Sequence, residues 1–363
     1  MREDDSMEHG FENIKKKLGF GVMRLPKVEE QVDIPAVCEM VDAFMEAGFN
    51  YFDTARPYHS GESEKAIKAA VSDRYPRDAF VLTNKLSNSC FEKEEDIRPF
   101  FQSQLEACGV EYFDVYLMHA LNARSHEKYK ATHAYDVAQQ LKAEGKIRHV
   151  GFSFHDTAEV LDKILTERPE LEVVQLQLNY LDWEDPDVQS RACYEVCVKH
   201  GKPVIVMEPV RGGRLAAVPE QAQAKMTAGS PASYAIRFAA GWENVIMVLS
   251  GMSNMEQMKD NLSYMTEFKP LTEEEQEIVT EAAALIQAQR RIPCTACEYC
   301  VEGCPAGINI PVVFSCYNDK KRQEYHDLSA KASACIECGA CEKICPQRLQ
   351  IRELLKKVAK KFE

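Results

Sequence analysis

No run of apolar residues in this chain approaches the roughly 18 that a helix needs to cross a bilayer, so a membrane span is not expected. The opening residues, Met1 to Gly10, are polar and acidic and lack the apolar segment of a secretory signal. Positive charge is in short supply. Forty-four Lys and Arg face 57 Asp and Glu, for a net charge of −13. That balance disfavours a general nucleic-acid binder, whose affinity rests on cations meeting phosphates. A cytoplasmic location is the default expectation. The glycine-rich loop of a doubly wound nucleotide-binding sheet is also missing. Gly19-Phe20-Gly21 in the first apolar run has no third glycine at the required offset, and no helix opens directly behind it. No internal repeat or low-complexity segment is present.

What the chain has in abundance is cysteine, 14 in 363 residues, most of it between Cys294 and Cys345. A disulfide framework belongs to small exported domains, so metal or cluster ligation is the better reading. Cys294, Cys297, Cys300 and Cys304-Pro305 form CxxCxxCxxxCP, and Cys335, Cys338, Cys341 and Cys345-Pro346 repeat it. Thiolates at this spacing suit iron–sulfur chemistry. Structural zinc instead uses paired CxxC knuckles. Cys316 lies between the motifs and reads as a buried thiol. Cys38, Cys90, Cys108, Cys193 and Cys197 read as core or surface thiols, mostly in helices.

Upstream, apolar β-rich runs alternate with amphipathic helical patterns. Eight candidate strands are Phe20–Leu25, Asn50–Thr54, Phe80–Lys85, Asp114–His119, Arg148–Phe154, Val173–Tyr180, Pro203–Pro209 and Val245–Gly251. Their continuous apolar character suits parallel strands covered on both faces. Helical patterns separate them, for example Ile34–Ala47, with Val37, Met40, Val41, Phe44 and Met45 on one face. Eight strand–helix units over about 250 residues match a (β/α)₈ TIM barrel in number and length. Leu271 to Gln289 reads as a charged packing helix with Thr272 as its cap.

In a barrel, the C-terminal strand ends face the active site. Asp53, Lys85 and His119 close three consecutive candidate strands, with Tyr58 in the loop beyond Asp53. Each has a bland reading, a buried ion pair or a core histidine, but all four in register is improbable by chance. These residues sit in LGFGVMRLP, FDTARPYHSGESE, LTNKL and DVYLMH. Through these segments, residues 18 to 265 resemble the aldo-keto reductase superfamily.

The resemblance implies a catalytic tetrad of Asp53, Tyr58, Lys85 and His119, reducing a carbonyl or oxidising the matching alcohol with NADP or NAD. In that scheme Lys85, held by Asp53, lowers the tyrosine pKa from about 10, and Tyr58 and His119 bind the carbonyl oxygen. It also implies nicotinamide contacts from Ser153, Gln175 and Asn179. Met207 stands where an aromatic usually stacks on the ring, and Arg211, Gly212 and Gly213 fall at the pyrophosphate. After the eighth strand, Gly251 to Gln257, with Asn254 opening a helix, lacks the usual Lys and Arg for a 2′-phosphate. NADP preference is therefore not expected from charge, although the helix at Asn254 could receive a phosphate on its N-terminus. The loop Ala120 to Thr132, with His126, Tyr129 and the adjoining His133, is a candidate pocket wall.

The cysteine region resembles bacterial two-cluster ferredoxins, in which each motif's fourth cysteine serves the other cluster. Carried over, two [4Fe-4S] clusters use Cys294, Cys297, Cys300 and Cys345, and Cys335, Cys338, Cys341 and Cys304. The longer segment Ile310 to Ala334 and the basic end Ile351 to Phe362 both read as helical. The expected organisation is thus a barrel over 1–270, a connecting helix over 271–290 and a helical ferredoxin-like domain over 291–363. The clusters then serve as electron relay or structural support. Alternatively they feed the barrel site, which requires a flavin or similar splitter between one-electron and hydride chemistry, and the altered nicotinamide and 2′-phosphate positions fit that reading. A redox partner protein would follow from either relay. A non-enzymatic electron-transfer subunit conflicts with an intact tetrad.

Overall fold

In the computed structural model, which describes residues 10–289 and 291–363, eight parallel strands close into a barrel. They are β1 (Leu18–Gly21), β2 (Tyr51–Asp53), β3 (Val81–Leu86), β4 (Phe113–Leu121), β5 (Ile147–Phe154), β6 (Val173–Gln177), β7 (Val204–Met207) and β8 (Val245–Ser250). Each pairs with its successor, and β8 pairs with β1. The all-parallel sheet explains the unbroken apolar runs. One strand face packs inside the barrel, where Tyr51, Val81, Val115, Leu117, Val173, Ile205, Met247 and Leu249 meet, with Phe11 among them. The other packs against the helices, such as α1 (Ile34–Glu46), which buries Val37, Met40, Val41 and Phe44. Asp33 caps α1 by accepting from the Ala36 N–H.

The first strand differs from expectation. It ends at Gly21 rather than Leu25, because its partners also end there: Gly21 is opposite Asp53 and Phe20 opposite Ser250. Beyond that point the chain turns across the mouth and forms a small hairpin, Lys27–Val28 with Gln31–Val32. Similarly, β6 stops at Gln177 and β7 at Met207, short of the apolar runs that suggested them. The segment 120–132 is not a loop. It contains a helix, Ala123–Ala131, capped by Asn122.

The helix Glu273–Ala288 starts at Thr272, whose hydroxyl accepts from the Glu275 N–H while Glu275 returns a bond to the Thr272 N–H. Val279, Ala282 and Ile286 bury against Leu215, Ala222, Tyr234 and Ala235 on the barrel's flank. The following cysteine module has its own core of Ile308, Val313, Phe314, Tyr325, Leu355, Val358 and Phe362. Its expected long helix breaks. Ile310–Asp319 stops at Lys320, which takes a φ of 58°, and Arg322–Asp327 follows. Cys316 is buried in this core, while the exposed face of Ile351–Phe362 carries the lysines. No helix among the described residues is long and apolar enough to cross a membrane.

Packing within the barrel is tight at Gly151, opposite Val173 on the adjacent strand. A Cβ there would lie 2.2 Å from the Val173 carbonyl oxygen, and neither backbone can yield. Gly151→Ala is expected to lower unfolding stability by about 3 kcal/mol. Urea denaturation monitored by circular dichroism checks this, and a change near zero would refute the packing argument.

Candidate active site

The site begins with strand register. Asp53 ends β2 opposite Thr83, and Lys85 lies two residues further along β3, so both side chains project from the same face of the pleat. Lys85 Nζ donates to Asp53 Oδ1 at 2.6 Å and to the Thr54 carbonyl at 2.9 Å. Side-chain exposure is 0% and 4%, respectively, so neither charge has access to bulk water. Burial raises the Asp53 carboxyl and lowers the Lys85 ammonium, and their mutual attraction opposes both shifts. Gln175 Nε2 gives Asp53 a second bond at 3.2 Å.

The motif after β2 is explained by its internal ties. Arg56 pairs with the fully buried Glu64, and the Thr54 and Ser63 hydroxyls bond at 2.8 Å. Ser63 also donates to the Val22 carbonyl. Behind them Gln104 Nε2 donates to Glu64, Asn84 and the Lys85 carbonyl, each at 3.0 Å. This buried network fixes the loop that carries Tyr58, and the sequence reading missed it. Tyr58 N–H donates to Ala55 O, and His59 and Ser60 follow at positive φ in a tight turn. The tyrosine ring comes to rest with Lys85 Nζ 4.8 Å from its centroid.

The expected lowering of the Tyr58 pKa by Lys85 is not found in this arrangement. Burial, then Tyr299 and Asp53, push it well above the ordinary tyrosine range. Tyr58 therefore stays protonated. His119 is driven well below its usual range, first by burial and then by Lys85 and His155, and is neutral at pH 7. Ser87 Oγ lies 2.7 Å from its Nδ1. If Ser87 donates there, the ring proton sits on Nε2, facing the mouth.

Tyr299 was not among the expected site residues. It lies between Cys297 and Cys300 yet reaches into the barrel, placing its hydroxyl 3.4 Å from His119 Nε2. The two rings meet edge to face, 6.1 Å apart. Further ties seat the module on the mouth. Arg24 Nη2 donates to the Thr295 carbonyl at 2.6 Å, and Gln177 and Gln347 exchange amide bonds at 3.1 and 2.9 Å. Arg348 pairs with Asp156 at 2.8 Å and donates to the His155 carbonyl. Burial, then Arg348, brings His155 down to about 4.

A cavity of about 340 Å³ runs along the strand ends beside Asp53, Tyr58 and His119. Ser153, Gln175, Met207, Gly212, Gly213, Gly251 and Gln257 line it, together with Arg24, Glu208, Thr295, Cys297 and Gln347. Three expected contacts lie elsewhere. Arg211 is buried against Asp182, with Nε 2.7 Å from Oδ1, so its charge is already met and turned from the pyrophosphate position. Asn179 Nδ2 is committed to Asp182 and the Glu208 carbonyl. Asn254 caps the helix Met255–Met265 by accepting from Gln257 N–H. Arg24 supplies a guanidinium in the cleft that the sequence did not reveal. Burial raises Glu208, against the pull of Arg24 and the Gly212 N–H.

The expected pocket wall at 120–132 is also corrected. Tyr129 faces inward and clamps two strand ends, accepting from His119 N–H and donating to the Leu86 and His119 carbonyls. His126 is buried against Tyr135, and His133 begins the next helix. Ala120, Asn122, Arg124 and Ser125 form that wall instead, on a larger cleft of about 1310 Å³ between barrel and module.

The eight motif cysteines separate into two groups. Cys294, Cys297, Cys300 and Cys345 line one small cavity, walled by Ile310, Phe314, Leu349 and Ile351. Cys304, Cys335, Cys338 and Cys341 line another, beside Ile308, Ile336 and Leu355. Each set takes three thiols from one motif and the fourth from the other. Burial pushes Cys297 and Cys300 up to about 12, so ionising them calls for a cationic ligand. Among the described residues, no three Cys, His, Asp or Glu side chains converge as tightly as a single metal ion requires.

The module also approaches the mouth closely at Gly212, which has a φ of +63°. A Cβ there would stand 2.5 Å from the Thr295 carbonyl oxygen, backbone against backbone. Gly212→Ala is expected to loosen the 294–300 loop, with amide hydrogen exchange there about tenfold faster. Unchanged exchange in that loop would contradict the proposed seating.

Comparison with known proteins agrees with this architecture. The aldo/keto reductase family model matches residues 17–284, and a 4Fe-4S dicluster domain matches 293–349. The chain is 27% identical over 273 residues to the 9,11-endoperoxide prostaglandin H2 reductase of Trypanosoma cruzi, covering 73% of this chain and 87% of that one. It is also 27% identical over 197 residues to the NADH-specific methylglyoxal reductase of Escherichia coli, covering 48% and 57%. Among solved structures, aldo-keto reductase AKR11C1 from Bacillus halodurans in its holo form superposes with a TM-score of 0.60 at 25% identity, covering 74% of this chain and 92% of that one. The chain belongs to the aldo/keto reductase family of oxidoreductases and carries a 4Fe-4S dicluster domain behind its barrel.

Proposed function

We propose that the protein reduces a small carbonyl compound, or oxidises the matching alcohol, with a nicotinamide cofactor in the cleft beside Tyr58. The observation that carries this is the convergence of Asp53, Lys85, Tyr58 and His119 at one barrel mouth. Protonated Tyr58 and neutral His119 donate to the substrate oxygen as it gains negative charge. Tyr58 then transfers its proton, and Lys85, anchored by Asp53, steadies the phenolate left behind. A bound nicotinamide supplies the hydride. Ser153 and Gln175 are suited to its carboxamide, because both line the cavity, where the Ser153 hydroxyl accepts from Ala120 N–H and Gln175 Nε2 donates to Asp53. Arg24 is the cation best placed for its phosphates, and Met207 offers a polarizable packing surface. With no Lys or Arg in 251–257, the reading favours NADH over NADPH. The NADH specificity of the Escherichia coli methylglyoxal reductase is in keeping with that.

The cysteine module is proposed to hold two [4Fe-4S] clusters, on the two four-thiol cavities described above. Fourth ligands contributed across motifs and burial of the thiols among apolar side chains fit such clusters. A second reading has a specific observation behind it. Cys297 and Tyr299 line the same cavity as Asp53, Tyr58 and His119, so a cluster there could exchange electrons with the barrel site, through a flavin or with a redox partner protein.

Tyr58→Phe is expected to lower NADH-driven aldehyde reduction by about 10²–10⁴-fold with cofactor affinity retained. Retained turnover would remove Tyr58 from the acid role. Protein prepared without oxygen is expected to carry about eight iron atoms per chain. Cys338→Ser should lose about half of them, since Cys338 lines only the outer cavity, the one it shares with Cys304, Cys335 and Cys341. Zinc in place of iron and sulfide would overturn the cluster assignment.

A further inference from the structure

We propose that the Tyr299 hydroxyl is a built-in competitor for the substrate oxygen, making this residue of the cysteine module a determinant of what the barrel accepts. The inference rests on the carbonyl-binding role given above to Tyr58 and His119. The Tyr299 hydroxyl lies 3.4 Å from His119 Nε2, and Tyr299 lines the same cavity as Tyr58, whose pKa it helps to raise. A phenol oxygen there occupies the position that a carbonyl oxygen needs. His119, one of the two groups that would stabilise developing negative charge, is engaged with Tyr299 when no substrate is present, and Tyr58, the other, shares the cavity with it.

The placement is built rather than incidental. Tyr299 lies between Cys297 and Cys300 of one cavity, and the preceding backbone is contorted, with Ala296 and Glu298 at φ of 53° and 65°. Thr295, at the root of the loop, is held by Arg24 and by the close approach of Gly212. Immediately outside Tyr299 lies the large cleft between barrel and module, lined by Met23, Leu25, Arg124 and Arg348. A substrate entering from that cleft must turn the phenol aside and take over its partners. Ligands whose oxygen accepts hydrogen bonds more strongly than a phenol, such as carboxylates and polarised aldehydes, succeed. Weak acceptors do not. The module thereby sets a threshold that the barrel residues alone would not impose.

Benzoate tests this, because its carboxylate can accept from Tyr58 and His119 and it does not turn over. Titration calorimetry on the anaerobic full-length protein is expected to show Tyr299→Phe binding benzoate about fivefold more tightly than the unaltered protein, the worth of one displaced hydrogen bond. In a Tyr58→Phe background the same change should gain much less, a coupling that general loosening of the loop would not produce. Equal or weaker binding by Tyr299→Phe, undetectable binding by both proteins, or a gain independent of Tyr58 overturns the proposal. Iron content is measured alongside, and if Tyr299→Phe loses iron, Tyr299→Leu is judged by the same criteria. NADH oxidation with 4-nitrobenzaldehyde is followed in parallel. Its absence counts against the carbonyl-reductase reading, whereas the benzoate affinities judge Tyr299.

Discussion

The buried contact between Lys85 and Asp53 is the constraint on which the remaining site geometry depends. Neither charge has bulk water to solvate it, so each relies on the other, on Thr54 O and on Gln175. Removing one partner of such a pair typically costs about 3–5 kcal/mol, because the survivor is left buried and unmet. A hydrophobic pair of similar size could hold two strands together at least as well. The charged pair is therefore better explained by chemistry than by stability. It places an ammonium 4.8 Å from the Tyr58 ring, where it can meet negative charge arising on the phenol oxygen.

Much of this was legible in the sequence because the relevant signals are local. The four residues close strands or follow one closely, each within a short motif, and the cysteine spacing is self-contained. What was hidden depends on contacts between distant parts of the chain. Tyr299 is separated from His119 by 180 residues and occupies an unconstrained position of a cluster motif. Arg211 suggested phosphate binding until Asp182, 29 residues away, proved to hold it. Arg24 gave the converse: a loop arginine with no pattern around it, brought to the cleft by the end of β1. The raised pKa of Tyr58 was equally hidden, because it follows first from burial, which no local motif encodes.

The barrel and the cysteine module consequently share a site rather than merely a chain. Thr295, Cys297, Tyr299 and Gln347 all line the cavity that contains Tyr58. The inner thiol set reaches the cavity at the mouth through Cys297, whereas no thiol of the outer set lines that cavity and Cys338 is exposed. Such an order suits passage of electrons between the surface and the barrel. It suits equally a module whose inner loop closes the pocket, and both roles depend on the same seating at Gly212 and Arg24.

Electron paramagnetic resonance of the dithionite-reduced, anaerobic protein, recorded with and without saturating benzoate, separates a shared site from two independent ones. A ligand that displaces Tyr299 moves a side chain lying between two thiols of the inner set. The account predicts that the signal of one reduced cluster changes on adding benzoate while that of the other is retained. Identical spectra for both clusters, with benzoate shown to be bound, would contradict it.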